Sequence, residues 1–520
     1  MGQIILVLSA ALLLMFSFPS FNAGFFAWIA LIPLFLAIKG KGLIQAFFLS
    51  FLTGIAFFMG IFHWINVIKG FTLLDFLLLG IYLGSYLGAF GLLLNFIMRN
   101  SRLSFVIVAP VLWVSFEYLR SHAGFLSLPW ALLGHSQYLN IPIIQISSFT
   151  GVYGVSFLIV MVNAVLSEVI LFFATKKQTN MQQNPIPVKI AIFAVLILFF
   201  SVAYGYAVIS GEKKGSTMPV TVIQGNIPQD IKWKPEFLRE NFEKQVELTK
   251  EASNKDHGSL IIWSESSVPG VLMHDMSVLK EISDLSKYTK SGLIFGSSQR
   301  PKFGSKEFKK IHLFNSAILI SSAGVIANRY YKMHLLPFAE YLPLKDTLPW
   351  PSRFANNADN YIQGEEYTLF ETEGAKFGVT ICWENIFSEV FRQFVKRGAN
   401  FMVNITNEGW FQETAAPYQF VAMSVFRAVE NHISVIRSAN TGVSCFIDPF
   451  GQIVGKVKKE DRDIFVEGYL TMSVPLSDKK TFYSLYGDIF AYINIIFALS
   501  YIIISFWKIF SHKKEMSKAL

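Results

Sequence analysis

Cys382 stands where a buried strand is expected to give way to a helix. The run KFGVTI (376–381) before it alternates apolar residues as a buried strand does, and residues 385–400 after it have helical periodicity. A strand-to-helix turn exposes the sulfur, and the amides that open a helix favour negative charge nearby. The placement therefore predicts a nucleophile, although a lone cysteine is more often a small buried apolar residue.

Two further ionisable residues close strand-like runs. Glu265 closes SLIIWSE, and Lys332 closes GVIANRYYK. A thiol needs a base to become a thiolate, and a carboxylate can serve once burial raises its pKa. A lysine can stabilise the oxyanion of a tetrahedral intermediate. If these strand ends meet Cys382 at one edge of a sheet, the three side chains supply a base, an oxyanion stabiliser and a nucleophile.

The elements that must hold these residues are of two kinds. The chain has 520 residues, 52% of them hydrophobic, which is too apolar for a purely soluble protein, yet residues 211–480 are charge-rich. A membrane-spanning helix needs about 20 largely apolar residues. We predict eight spans, at 4–19, 24–39, 43–66, 72–98, 104–120, 149–174, 188–209 and 488–508. The N-terminus is interpreted as the first span and not as a cleaved signal.

Basic residues are concentrated on one side of these spans. They are Lys39, Lys41, Arg99, Arg102, Lys176, Lys177, Lys189, Lys508, Lys513, Lys514 and Lys518, whereas the opposite loops carry few. Because basic loops stay in the cytoplasm, both termini are predicted to be cytoplasmic. With seven spans before it, the polar segment lies outside. The predicted domains are 1–210, 211–480 and 481–520.

The polar segment alternates strands with helices. Strand-like runs occur at 219–227, 259–266, 291–298, 314–321, 324–332, 377–382, 400–407, 433–440 and 442–449. Helix-like runs occur at 236–253, 275–289, 385–397 and 417–432. Apolar strands between helices predict sheets that are covered on one face by helices. Cys445 lies within one alternating strand, and we interpret it as a core residue; a disulfide with Cys382 would block the thiol.

The motifs around the three candidate residues resemble a known superfamily. Glu265, Lys332 and Cys382, within WSES, YYKMHLLPFAEYLP and ICWEN, resemble the nitrilase (carbon–nitrogen hydrolase) superfamily. The added motifs VIQGNIPQDIKW, NEGWF, FRAVENHISVIRSANTGVSCFIDPFG, FAWIALIPL, LWVSFEYLR and LPWALLGHSQ make essentially the whole chain similar to the apolipoprotein N-acyltransferase family. The resemblance implies a multi-pass α-helical membrane domain of about eight spans that carries an extramembrane α-β-β-α sandwich.

The resemblance also implies a ping-pong acyl transfer. Cys382 would take an acyl chain from a phospholipid as a thioester, and the α-amine of a lipoprotein's N-terminal S-diacylglyceryl-cysteine would then take the chain as an amide. Glu265 matches the general base and Lys332 the oxyanion stabiliser. The partners would be a phospholipid donor, a lipoprotein acceptor and the bilayer, without nucleic acid, metal or cofactor. The setting would be the inner membrane of a bacterium, with the catalytic domain in the periplasm and the protein a monomer.

Further positions match family residues near the site. Glu340 and Glu384 match supporting acidic residues, although Glu340 could equally brace its loop. Four residues match family positions near the substrate loops, namely Trp233, Pro343, Trp383 and Trp410. A packing role is the alternative for Trp383 and Trp410. Trp383 stands where the family often has Tyr, and NEGWF replaces the commoner NDxWF, which leaves the geometry of that loop open.

Two other classes of function compete with acyl transfer. A membrane-tethered amidase or nitrilase would use the same triad on a soluble substrate, but it leaves the apolar helices unexplained. A channel, transporter or scaffold with a degenerate outer domain would not need the triad. The predicted spans lack the paired charges typical of an ion path, which argues against that class.

Overall fold

The computed structural model describes residues 1–176, 188–211, 215–268, 275–300, 313–351, 361–372 and 374–519. The chain divides into two compact units. The first is Met1–Glu212 with Tyr486–Leu520, and the second is Lys213–Leu485. The α-helices are α1 (Gly2–Phe16), α2 (Ala27–Ala30), α3 (Ile32–Ile38), α4 (Leu43–Ile61), α5 (Leu73–Asn100), α6 (Phe105–Ser121), α7 (Ile141–Ile144), α8 (Ser147–Thr150), α9 (Val152–Lys176), α10 (Val188–Ser210), α11 (Leu238–Lys255), α12 (Met276–Thr289), α13 (Ser388–Lys396), α14 (Ala416–Asn431), α15 (Phe482–Tyr486) and α16 (Ile489–Ala519).

The first unit consists of apolar helices, as the sequence predicts for a membrane domain. Within the described residues, five helices are long and apolar enough to cross a membrane, namely α4, α5, α9, α10 and α16. Shorter helices occupy the other three predicted spans: α1, α2 with α3, and the 17-residue α6. The apolar helical domain is confirmed, while the count of eight spans stays a prediction.

A buried asparagine side chain forms hydrogen bonds with backbone groups at the break between α2 and α3. Leu31 separates the two helices, so backbone groups there lose helical partners. Asn163 on α9 accepts a hydrogen bond from the Leu31 N–H at 2.8 Å and donates one to the Ala27 carbonyl at 2.9 Å. In an apolar surrounding each unpaired backbone group is costly. Asn163 therefore allows a broken helix to stay buried.

The second unit contains two six-stranded sheets. The strands are β1 (Thr217–Gln224), β2 (Leu260–Ile262), β3 (Gly292–Gln299), β4 (Phe314–Ile320), β5 (Ile326–Tyr331), β6 (Phe370–Thr372), β7 (Ala375–Ile381), β8 (Phe401–Thr406), β9 (Ser434–Ala439), β10 (Cys445–Ile447), β11 (Ile453–Lys456) and β12 (Gly468–Pro475). The first sheet has the order β12-β1-β2-β3-β4-β5, and the second has the order β11-β10-β9-β8-β7-β6.

The two sheets form the inner layers of an α-β-β-α sandwich. β1 packs against β9 and β4 against β7, while α11 and α12 cover the first sheet and α13 and α14 cover the second. This confirms the predicted fold. β1, β2 and β3 run parallel, as do β7, β8 and β9. Each parallel set therefore brings the carboxyl ends of its strands to one edge, where side chains from separate segments can meet.

The sequence prediction found the four helices and nine of the strands in this unit. It missed β6, β11 and β12. β6 and β11 have only three and four residues, which is too short for an alternation to show. β12 is an edge strand whose residues are mostly half-buried, so its apolar alternation is weak.

Candidate active site

Cys382 immediately follows β7 and begins a short 3-10 turn, Cys382–Ile386. Its φ is +55°, in the left-handed region that costs a residue with a Cβ about 1–3 kcal/mol. The Cys382 carbonyl accepts a hydrogen bond from the Asn404 side chain at 3.2 Å, which holds the turn on β8. The thiol is free and half-buried, and Cys445 is a free, fully buried thiol in β10, as the sequence predicts.

Glu265 lies in the turn after β2, with its carboxylate held between two neutral donors. Oε1 accepts from Asn315 Nδ2 at 2.9 Å, and Oε2 accepts from the Asn407 backbone N–H at 2.9 Å. Gly296 on β3 permits this placement, because an added Cβ would lie only 2.7 Å from the Glu265 Cα. The carboxylate is buried and fixed in orientation, as a general base must be.

Lys332 directly follows β5, is only 1% exposed and forms an ion pair with Glu340. Nζ lies 2.8 Å from Glu340 Oε1. Burial alone would lower the pKa of Lys332, but the charges of Glu340, Cys382 and Glu265 outweigh it and raise the pKa above its ordinary value. Lys332 therefore stays protonated, which an oxyanion stabiliser requires. Glu340 also accepts from the Leu336 N–H at 2.7 Å, so it braces its own loop as well as the lysine.

The three residues do not share one sheet edge, and that prediction is wrong. Glu265 and Lys332 follow strands of the first sheet, whereas Cys382 follows β7 of the second. They come together because the sheets pack face to face, with β4 against β7. Asn407, which follows β8 of the second sheet, reaches across to the Glu265 carboxylate. The site is therefore built from strand ends of both sheets.

The electrostatics of the site keep the resting thiol protonated. Burial and the nearby Glu265 charge raise the pKa of the Cys382 thiol well above its ordinary value, and Lys332 only partly opposes them. The amides of the turn thus do not supply a thiolate by themselves. Nucleophilic attack at neutral pH requires transfer of the thiol proton to a base, and Glu265 is the carboxylate with the largest influence on the thiol pKa.

Glu384 is fully buried and accepts hydrogen bonds from two segments of the candidate site. Oε1 accepts from the Tyr330 hydroxyl at 2.9 Å and from the backbone N–H groups of Met333 and His334 at 2.7 and 3.0 Å. Oε2 accepts from the Ile381 N–H at 2.8 Å. The carboxylate therefore joins the segment after Lys332 to the strand end before Cys382. Burial raises the pKa of Glu384 to about 7, although these hydrogen bonds lower it in part.

The Glu384→Gln substitution should flatten the dependence of stability on pH. Because the folded protein holds the pKa near 7, against about 4.5 unfolded, the folded state binds more protons between those values. The stability of the wild type relative to the variant should fall by roughly 3 kcal/mol as pH rises through this window. Thermal unfolding of both full-length proteins in detergent, from pH 4.5 to 8, measures this. Parallel profiles would contradict the assignment of the shift to Glu384.

The four loop positions are placed differently from one another. Trp383 is buried, donates from Nε1 to the His334 carbonyl at 2.7 Å and packs edge-on against a phenylalanine, so a packing role fits it. Trp233 and Trp410 are 46% and 48% exposed on loops, which does not fit core packing. The carbonyl of Pro343 accepts from the Trp350 side chain at 2.6 Å and so orders its own loop.

Sequence reasoning missed several residues that hold the Glu265 side chain and backbone. Asn315 and Asn407 fix the Glu265 carboxylate, and Lys232 donates from Nζ to the Glu265 backbone carbonyl at 3.1 Å. Asn407 directly follows β8, the same signal that drew attention to Cys382, whereas Asn315 is the second residue of β4 and offered no such signal. Lys232 lies near the end of the motif VIQGNIPQDIKW, in the loop that follows β1, where no strand or helix period marks it.

The NEGWF loop is anchored by a buried ion pair. Glu408 pairs with Arg437 of β9, and both side chains are fully buried. Arg437 also donates to Asn404 Oδ1 at 2.8 Å, and Asn404 in turn holds the Cys382 carbonyl. One guanidinium therefore supports both the loop that presents the Asn407 N–H to Glu265 and the turn that carries Cys382. The glutamate of this loop thereby has a defined structural role.

Two family models match the chain in succession. Residues 10–165 match the apolipoprotein N-acyltransferase N-terminal domain, and residues 219–477 match the carbon–nitrogen hydrolase domain. The second match covers the strands and turns that carry Glu265, Lys332 and Cys382. The order of the two matches follows the order of the apolar helices and the two-sheet unit.

Several relatives match the chain over nearly its whole length. The chain is 36% identical over 495 residues to apolipoprotein N-acyltransferase of Geobacter metallireducens, covering 94% of this chain and 92% of that protein. It is 27% identical to apolipoprotein N-acyltransferase of Pasteurella multocida, covering 91% and 89%. It is 29% identical to apolipoprotein N-acyltransferase 1 of Treponema denticola, covering 97% and 96%. The similarity therefore extends over nearly the full length of each protein.

Proposed function

The chain belongs to the apolipoprotein N-acyltransferase family, and we propose that it moves an acyl chain from a phospholipid to the α-amine of a lipoprotein's N-terminal S-diacylglyceryl-cysteine. Membership of the family supports an acyltransferase role; the proposal adds the substrates and a covalent mechanism. The observation that carries it is the arrangement of a strained Cys382, a fixed Glu265 carboxylate and a charged Lys332.

In the first half-reaction Glu265 takes the proton from the Cys382 thiol while the sulfur attacks the ester carbonyl carbon of the phospholipid. The carbonyl oxygen becomes an oxyanion, which the Lys332 ammonium stabilises. Collapse of this intermediate breaks the carbon–oxygen bond of the ester. The leaving alkoxide of the lysophospholipid takes the proton from Glu265, and the acyl chain remains on Cys382 as a thioester.

In the second half-reaction the acceptor amine attacks the thioester carbonyl carbon. Glu265 takes a proton from the attacking nitrogen, and Lys332 again stabilises the oxyanion. The carbon–sulfur bond then breaks, the new amide leaves with the acyl chain, and the sulfur recovers its proton from Glu265. Both half-reactions use the same base and the same cation, so one site suffices for ping-pong transfer.

Transfer is favoured over hydrolysis because both substrates carry lipid chains. Five described helices are long and apolar enough to cross a membrane, which a hydrolase of small soluble amides does not need. Exposed Trp233 and Trp410 give the loops of the catalytic unit an apolar surface. A thioester in apolar surroundings is shielded from water. A membrane-tethered amidase remains the competing function, and the experiment below separates the two.

We also propose the cellular arrangement that the loop charges predict. The protein lies in the inner membrane of a bacterium, with both termini in the cytoplasm and the catalytic unit in the periplasm. Basic residues after the second, fourth, sixth and last predicted spans support this orientation. The partners are then a phospholipid, a diacylglyceryl lipoprotein and the bilayer, and the reaction is complete within a monomer.

The test of the proposed function is to trap the acyl-thioester. Purified full-length protein in detergent is incubated with phospholipid that carries a tagged acyl chain, without acceptor, beside the Cys382→Ala variant. A hydroxylamine-labile tag is expected on the wild type alone, and a diacylglyceryl-cysteine peptide should discharge it. A wild-type protein with a free thiol that acquires no tag would contradict a phospholipid donor and favour the amidase.

A further inference from the structure

A second lysine lies buried beside the candidate base. Lys232 occupies the loop between β1 and α11 and is only 4% exposed. Its Nζ donates to the Glu265 carbonyl at 3.1 Å and lies 5.8 Å from the ring centroid of Trp233. Its charge interacts with those of Glu265 and Cys382. Lys232 has no part in the proposed proton transfers, although it contacts Glu265, the proposed base.

Lys232 differs from Lys332 in how its charge is balanced. Lys332 is in contact with the Glu340 carboxylate, whereas the Glu265 carboxylate accepts from two neutral donors, Asn315 Nδ2 and the Asn407 N–H. Within the described part of the chain, Lys232 forms no direct ion pair of its own. A buried ammonium without a contacting carboxylate is costly for stability. Burial lowers the pKa of Lys232 to about 8, and the charges of Glu265 and Cys382 oppose this effect.

We propose that Lys232 is a positioning residue of the acyl-transfer site. Its ammonium group holds the backbone of Glu265 and stabilises the negative charge that moves between Glu265 and Cys382. When the thiol proton passes to Glu265, the negative charge leaves the carboxylate and arrives on the sulfur, and both groups interact with Lys232. The inference rests on the proposed role of Cys382 as the nucleophile.

The charge of Lys232 should appear in the pH dependence of Cys382 reactivity. The charged or titratable groups that act on Lys232 are Glu265 and Cys382, and Lys332 and Glu340 complete the cluster. Below a pH of about 8 Lys232 is protonated and favours the thiolate. Above that pH Lys232 becomes neutral and no longer stabilises the thiolate. This loss offsets part of the increase in the deprotonated fraction of Cys382 as pH rises. The reactivity of the wild-type thiol should therefore rise less steeply with pH above about 8 than below it.

The reactivity of the Cys382 thiol can be measured without any lipid substrate. The full-length protein in detergent is alkylated by iodoacetamide at pH values between about 6 and 10. Modification of Cys382 is quantified by mass spectrometry. The Lys232→Met variant should react roughly three- to tenfold more slowly at neutral pH, which corresponds to a thiol pKa higher by up to about one unit. The Lys232→Arg variant keeps the charge at all these pH values, so its profile should lose the change of slope.

The Lys234→Met variant is the matched control, since Lys234 is an exposed lysine two residues away and its profile should equal that of the wild type. Identical slopes in the wild type and the Lys232→Arg variant would overturn the inference, as would unchanged reactivity of Lys232→Met. If Lys232→Met fails to fold, the Arg variant decides by itself. The alkylation profiles could match expectation while the wild type forms no acyl-thioester from phospholipid. That result would refute the proposed substrate and leave the role of Lys232 intact.

Discussion

The Cys382→Ser substitution should lower acyl transfer by at least roughly 10³-fold while leaving the protein folded. Serine is close to cysteine in size, so the left-handed turn at φ +55° and the hydrogen bond from Asn404 to the carbonyl of residue 382 persist. A hydroxyl is far less acidic than a thiol, and Glu265 is a weak base for it. Single-turnover labelling with tagged phospholipid, with and without the acceptor peptide, measures the loss.

The chemistry of any residual label identifies the atom that carries the acyl chain. A thioester is cleaved by hydroxylamine at neutral pH, whereas an oxyester at serine resists it. The small label that the serine variant acquires should therefore survive neutral hydroxylamine. The Cys445→Ala variant is the matched control, because Cys445 is the other thiol and lies fully buried in β10. It should label as the wild type does, and loss of its label would contradict the assignment to Cys382.

Most elements of the catalytic unit could be predicted because they are encoded by local sequence patterns. The run before Cys382 alternates strictly, and every side chain of β7 that faces the interior is fully or nearly fully buried. The helix over residues 416–431 was also predicted, and all of its residues except Tyr418 are buried. Edge strand β12 could not be found, because its residues are mostly half-buried and its pairing with β1 joins distant parts of the chain.

The assignment of strands to sheets could not be predicted from the same patterns. Alternation indicates that a strand is buried, but it does not indicate which strand lies beside it. Glu265 and Cys382 each follow a buried strand, and only the packing of two sheets shows that they face each other. The prediction of a single sheet edge was wrong for this reason.

The triad and two supporting acidic residues, Glu340 and Glu384, could be proposed from sequence, whereas the other supporting groups could not. Glu265 and Cys382 stand out by residue type at strand ends and by the motifs around them. Asn407 is 142 residues from Glu265 in the sequence and donates a hydrogen bond to its carboxylate from the backbone N–H. Any residue except proline would supply this donor. Lys232 resembles an ordinary loop lysine until the fold buries it. Residue type and motif therefore predicted the candidate reacting groups, and only the fold showed that Asn407 and Lys232 contact Glu265.

The Glu265→Gln substitution should strongly slow acyl-thioester formation and yet make Cys382 more acidic. The amide cannot take the thiol proton, so the first half-reaction should slow by about 10²–10⁴-fold. The charge of Glu265, however, raises the pKa of the Cys382 thiol, and its removal should lower that pKa. Alkylation of Cys382 by iodoacetamide at alkaline pH should therefore be faster in the variant than in the wild type. Labelling with tagged phospholipid should be lost in the same preparation.

The opposite directions of these two effects separate a base from a structural residue. Glu265 accepts hydrogen bonds from Asn315 Nδ2 and from the Asn407 N–H. The NH₂ group of a glutamine would donate towards one of these two donors and could not accept from it. A local disturbance is therefore expected in the variant. A disturbance that merely disordered the site would lower acyl transfer without making the thiol more acidic. Glu340→Gln is the matched control: it removes a carboxylate from the same cluster and weakens the hold on Lys332, but it leaves the base in place. It should retain measurable thioester formation, and equal losses in both variants would contradict the assignment of Glu265 as the base.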